Sequence, residues 1–328
     1  FYNNEEDIVL YKDNIIVSGL NGTISIIKMS KLKPGEWLLK NIDVRPSTRP
    51  TAPCILFPKM HQGLTGLFFG GGEKANMVGA VSIEKEKALW GNAGNDTPEG
   101  KDGEKKENVL AQNIPGREVK GDVLNTPISM GNSILFSTTQ GYIYDIDINT
   151  GTIRNHFKVG VGAKKNMIGV KGKNLYFIEN SKDVCFIYKV NIDTGKKEWQ
   201  KEISGNIYEG RPVILNGKII LGFSFSARGR VIAVSEEDGS IVWKYPKKGD
   251  ISKVTQEIAV YNNMLFCAAG TDIIVLHPEK GTKLFEGYST ELANITEKLL
   301  VHDGYIYALT GDGKIYCFMI PASLQTKK

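Results

Sequence analysis

The sequence predicts an all-β chain, a seven-bladed β-propeller of four-stranded antiparallel blades, and three observations predict it. The first is the stretch Val213 to Tyr245, which holds one complete four-strand unit. Val213 to Leu215 is a short apolar run, Asn216-Gly217 is a turn whose residues tolerate positive φ, and Lys218 to Phe223 returns as a second strand. Arg230 to Ser235 follows, Glu237-Asp238-Gly239 turns the chain again, and Ile241 to Tyr245 supplies a fourth strand carrying Trp243. The second observation is a period. Turn glycines before an aromatic strand stand at Gly151, Gly195, Gly239 and Gly281, at intervals of 44, 44 and 42 residues, and an aromatic follows four residues later at Trp199, Trp243 and Phe285. The earliest of the four repeats has Asn155 there and Phe157 two further on. The third observation is a marker in step with the first: hairpin turns at Gly131-Asn132, Lys171-Gly172, Asn216-Gly217, Asn262-Asn263 and Asp303-Gly304. A four-strand meander buries both faces only when similar sheets flank it, so one unit implies neighbours.

Taken in order, Ile8 to Tyr11, Ile15 to Gly19 and Thr23 to Lys28 read as the first three strands, with Trp37 to Leu39 as a degenerate fourth after the turn at Pro34-Gly35. The second repeat runs through Cys54 to Phe57, Leu67 to Gly70, Gly79 to Ile83, and Ala88 to Trp90. Residues 91–118 are dense in Gly, Lys, Glu, Asn and Asp and poor in β-branched and aromatic residues, a flexible-loop composition expected of an insertion between blades. The pattern resumes with Ile134 to Ser137 and Tyr142 to Asp147, continues through Leu175 to Ile178, Cys185 to Val190 and Lys197 to Gln200, and then enters the Val213 unit. Glu257 to Val260, Met264 to Ala268, Ile273 to Leu276 and Lys283 to Phe285 form a sixth repeat. The seventh has Leu299 to Val301, Tyr305 to Leu309 and Lys314 to Met319, then a polar tail after Pro321. It lacks a fourth strand, which a closed ring would take from the N-terminus near Phe1-Tyr2 or from residues upstream. Residues 1–328 are thus expected to form a single propeller domain, and an eighth blade would need sequence before Phe1.

The chain has 41 basic and 36 acidic residues, a net charge of +5, and no Lys/Arg block of the kind that marks a nucleic-acid arm. No window approaches the run of about 20 apolar residues that spans a bilayer. Beginning at Phe1 rather than Met, the chain is expected to be a processed or trimmed product whose upstream signal or anchor could have been removed. Cys54, Cys185, Cys267 and Cys317 fall in different repeats, within or beside strand-like runs, with no CxxC or adjacent pair. They read as small apolar core side chains rather than a metal site or structural disulfide.

The segments Tyr144 to Phe157, Tyr188 to Trp199 and Ile232 to Trp243 resemble the quinoprotein, or PQQ-type, propeller repeat, with its small residue, acidic turn, Thr-Gly-Lys and a tryptophan that packs between adjacent blades. The likeness covers nearly the whole chain and is clearest in repeats three to six. It implies that Trp90, Trp199, Trp243 and Phe285 are aromatics of the seams between blades. Fold alone does not give function, which must be argued from a site. Quinoprotein alcohol and glucose dehydrogenases are longer, eight-bladed, and close a pocket over PQQ and calcium above an adjacent-cysteine disulfide. The present chain has no adjacent cysteines and no acidic cluster assignable to calcium. The BamB-type lipoproteins of outer-membrane β-barrel assembly are nearer in size and non-catalytic.

Catalytic signatures are missing from the sequence. His61, His156, His277 and His302 are scattered singly, and there is no HxxxH, HExxH or GxSxG. Phe69 to Lys74, FGGGEK, lacks the GKS or GKT of a phosphate loop and reads as a strand-end turn. Asn21, Asn95 and Asn294 begin glycosylation sequons, a pattern short enough to recur by chance. Arg211, Arg228 and Arg230 lie near the loops of the fifth repeat. In BamB-like proteins such loops bind partners, so these arginines are candidate contacts, weighed against an ordinary solvated charged surface.

The resulting expectation is a non-enzymatic interaction scaffold with no catalytic, cofactor or metal residues. It would be monomeric and extracytoplasmic, in the periplasm or cell envelope, bound to protein partners such as outer-membrane assembly components. It would not bind nucleic acid and would meet the membrane only through an upstream anchor such as a lipid. The alternatives are a PQQ-dependent dehydrogenase and a ligand-binding or sensor propeller domain of a larger membrane protein.

Overall fold

The computed structural model describes residues 117–325 apart from residues 124, 126, 164–165, 182, 208–210, 226–227, 255–256 and 291–292, and the backbone of the strands before residue 91. Side chains are described at Val78, Ala80 and Ser82 and, with few exceptions, from residue 118 onward. Among these residues lie 31 strands in seven antiparallel sheets and one short helix, and the chain forms two compact units, Phe1–Asn166 and Met167–Lys328.

In the first unit, β1 (Val9–Tyr11), β2 (Asn14–Gly19), β3 (Thr23–Lys28) and β4 (Leu39–Asp43) make a four-stranded meander. The fourth strand begins where Trp37 to Leu39 was expected to end, because pairing from Ile27↔Leu39 to Thr23↔Asp43 uses the length of β3. The second sheet has β5 (Arg49–Pro50), β6 (Ile55–Met60), β7 (Leu64–Gly72), β8 (Met77–Ser82), β9 (Ala88–Trp90) and β10 (Arg117–Glu118). Its glycine run does not turn at the strand end: Gly71 and Gly72 stay extended and pair with Pro50 and Arg49. Of the stretch expected as an insertion, residues 91–116 lie outside the described residues, and Arg117 and Glu118 pair with β8. The third sheet is β11 (Ile128–Met130), β12 (Ser133–Ser137), β13 (Tyr142–Asp147) and β14 (Ile153–Lys158). Val78 and Ala80 of the second sheet pack with Ile134, Phe136, Tyr144 and Ile146 of the third, so this core lies between stacked sheets.

The second unit repeats the arrangement. The fourth sheet is β15 (Asn166–Lys171), β16 (Asn174–Ser181), β17 (Val184–Asn191) and β18 (Lys197–Ser204). The fifth is β19 (Asn206–Ile207), β20 (Val213–Leu215), β21 (Lys218–Phe225), β22 (Arg228–Ser235), β23 (Ile241–Tyr245) and β24 (Ile251–Ser252). The sixth is β25 (Ala259–Tyr261), β26 (Met264–Ala269), β27 (Asp272–Leu276) and β28 (Lys283–Ser289). The seventh has three strands, β29 (Leu300–His302), β30 (Tyr305–Leu309) and β31 (Ile315–Met319). The N-terminal residues expected to complete it, Phe1 and Tyr2, lie outside the described residues. Instead of a purely polar tail, α1 (Ala322–Gln325) follows Pro321, and its Leu324 packs on the core of the last two sheets.

The two-residue period of a strand explains how one sheet serves two cores. Along β21, Ile219, Leu221 and Phe223 face the fourth sheet, and Ile220 faces the sixth. Along β26, Leu265, Cys267 and Ala269 join the fifth sheet's cluster, and Met264, Phe266 and Ala268 join the seventh's. Burying each of the larger side chains stabilises the stack by about 1.5–3 kcal/mol.

Candidate interaction face

The turns between third and fourth strands share one construction. At Gly151, Gly195, Gly239 and Gly281 φ is positive, between 60° and 73°, a conformation glycine adopts without steric cost. Each glycine N–H donates to the carbonyl four residues back, on Asp147, Asn191, Ser235 and His277, at 2.8–3.1 Å. The same four residues accept turn N–H groups on their side chains. Asp147 Oδ1 takes Asn149 and Thr150, Asn191 Oδ1 takes Thr194, Ser235 Oγ takes Glu237, and His277 Nδ1 takes Glu279. A β-bulge precedes the turn in all four sheets. His277 is therefore a turn cap. His156 stacks on Tyr144 with ring centroids 5.4 Å apart, and His302 is exposed beside Asp303.

The fourth-strand tryptophans rest on these turns. Trp199 Nε1–H donates to the Glu236 carbonyl at 3.2 Å, and Trp243 Nε1–H donates to the Pro278 carbonyl at 2.9 Å. In each case the acceptor lies three residues before the next sheet's turn glycine. A Cβ on Gly239 would meet the Trp199 ring at 2.8 Å, and one on Gly281 would meet the Trp243 ring at 2.3 Å, so these glycines are required by space as well as by φ. Phe285 is placed differently. It meets Tyr288 in a tilted ring contact at 4.9 Å, and Tyr288 in turn meets Phe318 at 4.9 Å, while a Cβ at Gly313 would meet nothing. The side chain of Trp90 is outside the described residues.

Salt bridges join neighbouring sheets at the same turns. Lys171 Nζ pairs with Glu236 at 2.9 Å, and the largely buried Lys218 pairs with Glu279 at 2.5 Å while also donating to the Asn216 carbonyl. The hydrogen bond from Lys218 and then that from Asn216 hold the Glu279 carboxyl below its ordinary value, against the effect of desolvation.

The opposite end of the fifth sheet carries the arginines. β22 starts at Arg228, two residues earlier than the sequence suggested, so Arg228 and Arg230 project from the same side of one strand. Both converge on Asp250: Arg230 Nε lies 2.8 Å from Oδ1 and Arg228 Nη1 3.5 Å from Oδ2. The short strand β24 positions that carboxylate, pairing Ser252 with Arg228 and Ile251 with Gly229. Gly229 permits the approach, since a Cβ there would sit 2.6 Å from the Ser252 carbonyl oxygen. The Arg230 guanidinium also covers the Phe225 ring at 5.4 Å, a cation–π contact. Arg228 is 75% exposed and presents its remaining N–H donors to solvent. The adjoining connection exposes Lys247 and Lys248. Arg211 is held in a separate network, its backbone N–H donating to Glu257 Oε2 at 3.3 Å while Lys298 pairs with the other oxygen of Glu257. The arrangement can engage an anionic group through Arg228 without unmaking a core contact. Asp250 could not be recognised from sequence as the partner, because β24 is two residues long.

Cys185 and Cys267 are buried, and Cys317 is exposed on β31, unlike the core position expected for it. Among the described residues no fourth strand covers that edge of the seventh sheet. Cys54 lies outside the described residues. Burial pushes the Cys267 thiol up to about 12. Among the described residues no three His, Cys, Asp or Glu side chains are grouped to hold a metal ion, and the three cysteines sit on separate sheets.

Residues 185–320 match the family model PQQ_2, described as outer membrane protein assembly factor BamB. No curated protein sequence matches the chain. Among solved structures, BamB from Moraxella catarrhalis is similar at 12% identity, with 97% of each chain covered and a TM-score of 0.52. The computationally designed Ika8 protein is similar at 13% identity, with 95% of each chain covered and a TM-score of 0.55. The WD40 β-propeller domain of Doa1 is similar at 12% identity, covering 99% of this chain and 96% of that one, with a TM-score of 0.56. Identities this low speak for the fold alone. Stacked four-stranded meanders, the recurring glycine turn under an indole, and these likenesses make the chain a β-propeller, of which residues 185–320 match the model described as BamB.

Proposed function

We propose that the chain acts as one propeller domain, a non-catalytic scaffold that binds protein partners in envelope or outer-membrane protein assembly from an extracytoplasmic position. The observation that carries this reading is the BamB match over residues 185–320, the segment that holds Arg211, Arg228 and Arg230. A rigid stack of sheets with a charged group at the end of one hairpin suits docking, since the surface is held in place before the partner arrives. Trp90, Trp199, Trp243 and Phe285 serve the seams, and the arginine pair with Asp250 serves the contact.

The test is capture of tagged chain from the envelope fraction of its host, beside the Arg228→Glu variant. Recovery of a barrel-assembly component by the parent chain, reduced at least tenfold in the variant at unchanged melting temperature, supports the reading. Recovery of none, or a protein confined to the cytosol, overturns it.

A further inference from the structure

The outer strand of the third sheet gathers cations on an aromatic support. Cross-strand pairing sets Lys158 of β14 beside Tyr142 of β13, and His156 beside Tyr144. The rings of Phe136, Tyr144 and His156 form one stack, with centroids 5.3 and 5.4 Å apart and interplanar angles of 6° and 12°. Phe136 and Tyr144 are buried and His156 is exposed, so the stack runs from the core to solvent. A second segment delivers Lys120. Its backbone N–H donates to the Tyr144 hydroxyl at 2.8 Å and its carbonyl accepts from Thr138 Oγ1 at 2.6 Å, which fixes the backbone from which the ammonium group extends. Lys120 Nζ and Lys158 Nζ meet on one ring, that of Tyr142, at 5.1 and 5.8 Å from its centroid. Both lysines are exposed. Among the described residues neither forms an ion pair, even with Glu118 and Asp122 beside Lys120 in the chain, and the Tyr142 hydroxyl has no hydrogen-bond partner. The ion pair of β14 belongs to Arg154 and Asp147. All of these residues lie in the first compact unit.

We propose that Lys120, Lys158 and the Tyr142 hydroxyl form a binding site for a phosphate monoester. Charge is the first reason. One monoester carries about −1.5 to −2 at pH 7 and neutralises both ammonium groups together, whereas a carboxylate would neutralise one. The donor set is the second. Lysine offers N–H donors and no acceptor, and a tyrosine hydroxyl donates as well, so the group that suits them has several acceptor oxygens. The site is also built before a ligand arrives, since strand pairing holds Lys158 and two backbone hydrogen bonds hold Lys120, which leaves little ordering for binding to cost. His156 adds a shelf at the outer end of the stack, where a planar substituent on the ester extends the row of rings. A soluble ester and a lipid headgroup share this chemistry. The site goes beyond the scaffold role and needs none of Arg211, Arg228 or Arg230.

Titration of the whole chain with phenyl phosphate, followed by phosphorus NMR, tests the proposal. The expected result is saturable binding with a Kd below about 1 mM. Lys120→Met with Lys158→Met should weaken it at least tenfold, and Tyr142→Phe about threefold, at unchanged melting temperature. Should the double variant fail to fold, Lys158→Gln alone is expected to weaken binding about threefold. Lys244→Met with Lys280→Met, which removes two exposed charges elsewhere, should leave the Kd unchanged. Flotation with phosphatidic acid vesicles separates the two sources: binding of both probes supports the site with a lipid headgroup as ligand, and binding of phenyl phosphate alone supports it with a soluble ester. No saturation by phenyl phosphate up to about 10 mM overturns the proposal. Binding that survives loss of both lysines overturns it too. Vesicle binding without phenyl phosphate binding does the same, since general surface charge then accounts for it.

Discussion

The indole N–H of Trp243 reaches across from the fifth sheet to the Pro278 carbonyl of the sixth, 2.9 Å away, while the same ring lies on Gly281. One side chain thus supplies both a polar and an apolar contact between two sheets. Trp243→Phe should keep most of the apolar contact and leave a buried carbonyl without its donor, at a cost of about 1–3 kcal/mol. Trp199→Phe should cost less than about 1 kcal/mol, because that ring is only half-buried and the Glu236 carbonyl can turn to water. Urea unfolding of both variants, followed by tyrosine and remaining tryptophan fluorescence, checks the order. Equal losses would refute it.

Turn glycines separate into two kinds. At Gly217, with φ 73°, a Cβ would meet nothing, so Gly217→Ala should cost only the strain of a left-handed alanine, about 1 kcal/mol. At Gly281, with φ 60°, the same change adds a clash with Trp243, and Gly281→Ala should lose about 2–4 kcal/mol once overpacking is included. Thermal denaturation of the pair decides whether space or φ dominates.

Acid should weaken the seam at Glu279. Its carboxyl lies below the ordinary value of 4.5, held there first by the Lys218 hydrogen bond, so the unfolded chain takes up the proton before the folded one does. The contribution is therefore present above pH 4.5 and lost as pH falls through that value toward the lowered native one. Glu279→Gln should narrow the stability gap to the parent chain as pH drops from about 6 to about 3. A gap that stays constant or widens would count against the assignment.

Thiol chemistry reports on the cores between sheets. Cys267 is pushed up to about 12 by burial, and Cys185 is raised by burial and then by the nearby Glu179. Neither should react with a soluble maleimide at pH 8 in the native chain, and both should label at the rate of unfolding as denaturant is added. Mass spectrometry of digested protein resolves the two sites. Rapid native labelling of Cys267 would contradict the packing of the fifth and sixth sheets.

The sheets were legible in the sequence wherever two local signals coincided. Asn216-Gly217 and Asp303-Gly304 announce hairpins because few residues accept their positive φ. Gly239 and Trp243 announce a turn and a strand for equally local reasons. The caps were not legible: Asp147, Asn191, Ser235 and His277 keep the same spacing as the glycines, but four different side-chain chemistries in one role hid the repeat. Asp250 was not legible. Its relation to Arg228 and Arg230 depends on a two-residue strand whose pairing is decided by tertiary contact.

Gly239 and Gly281 are each bent by their own hairpin yet roofed by a ring from the preceding sheet. The module that must be transplanted whole is consequently out of phase with the sheets. A graft cut at sheet borders would divorce Trp199 from Gly239 and Trp243 from Gly281, whereas a segment spanning from just before one tryptophan to just beyond the following glycine would carry its own joint with it.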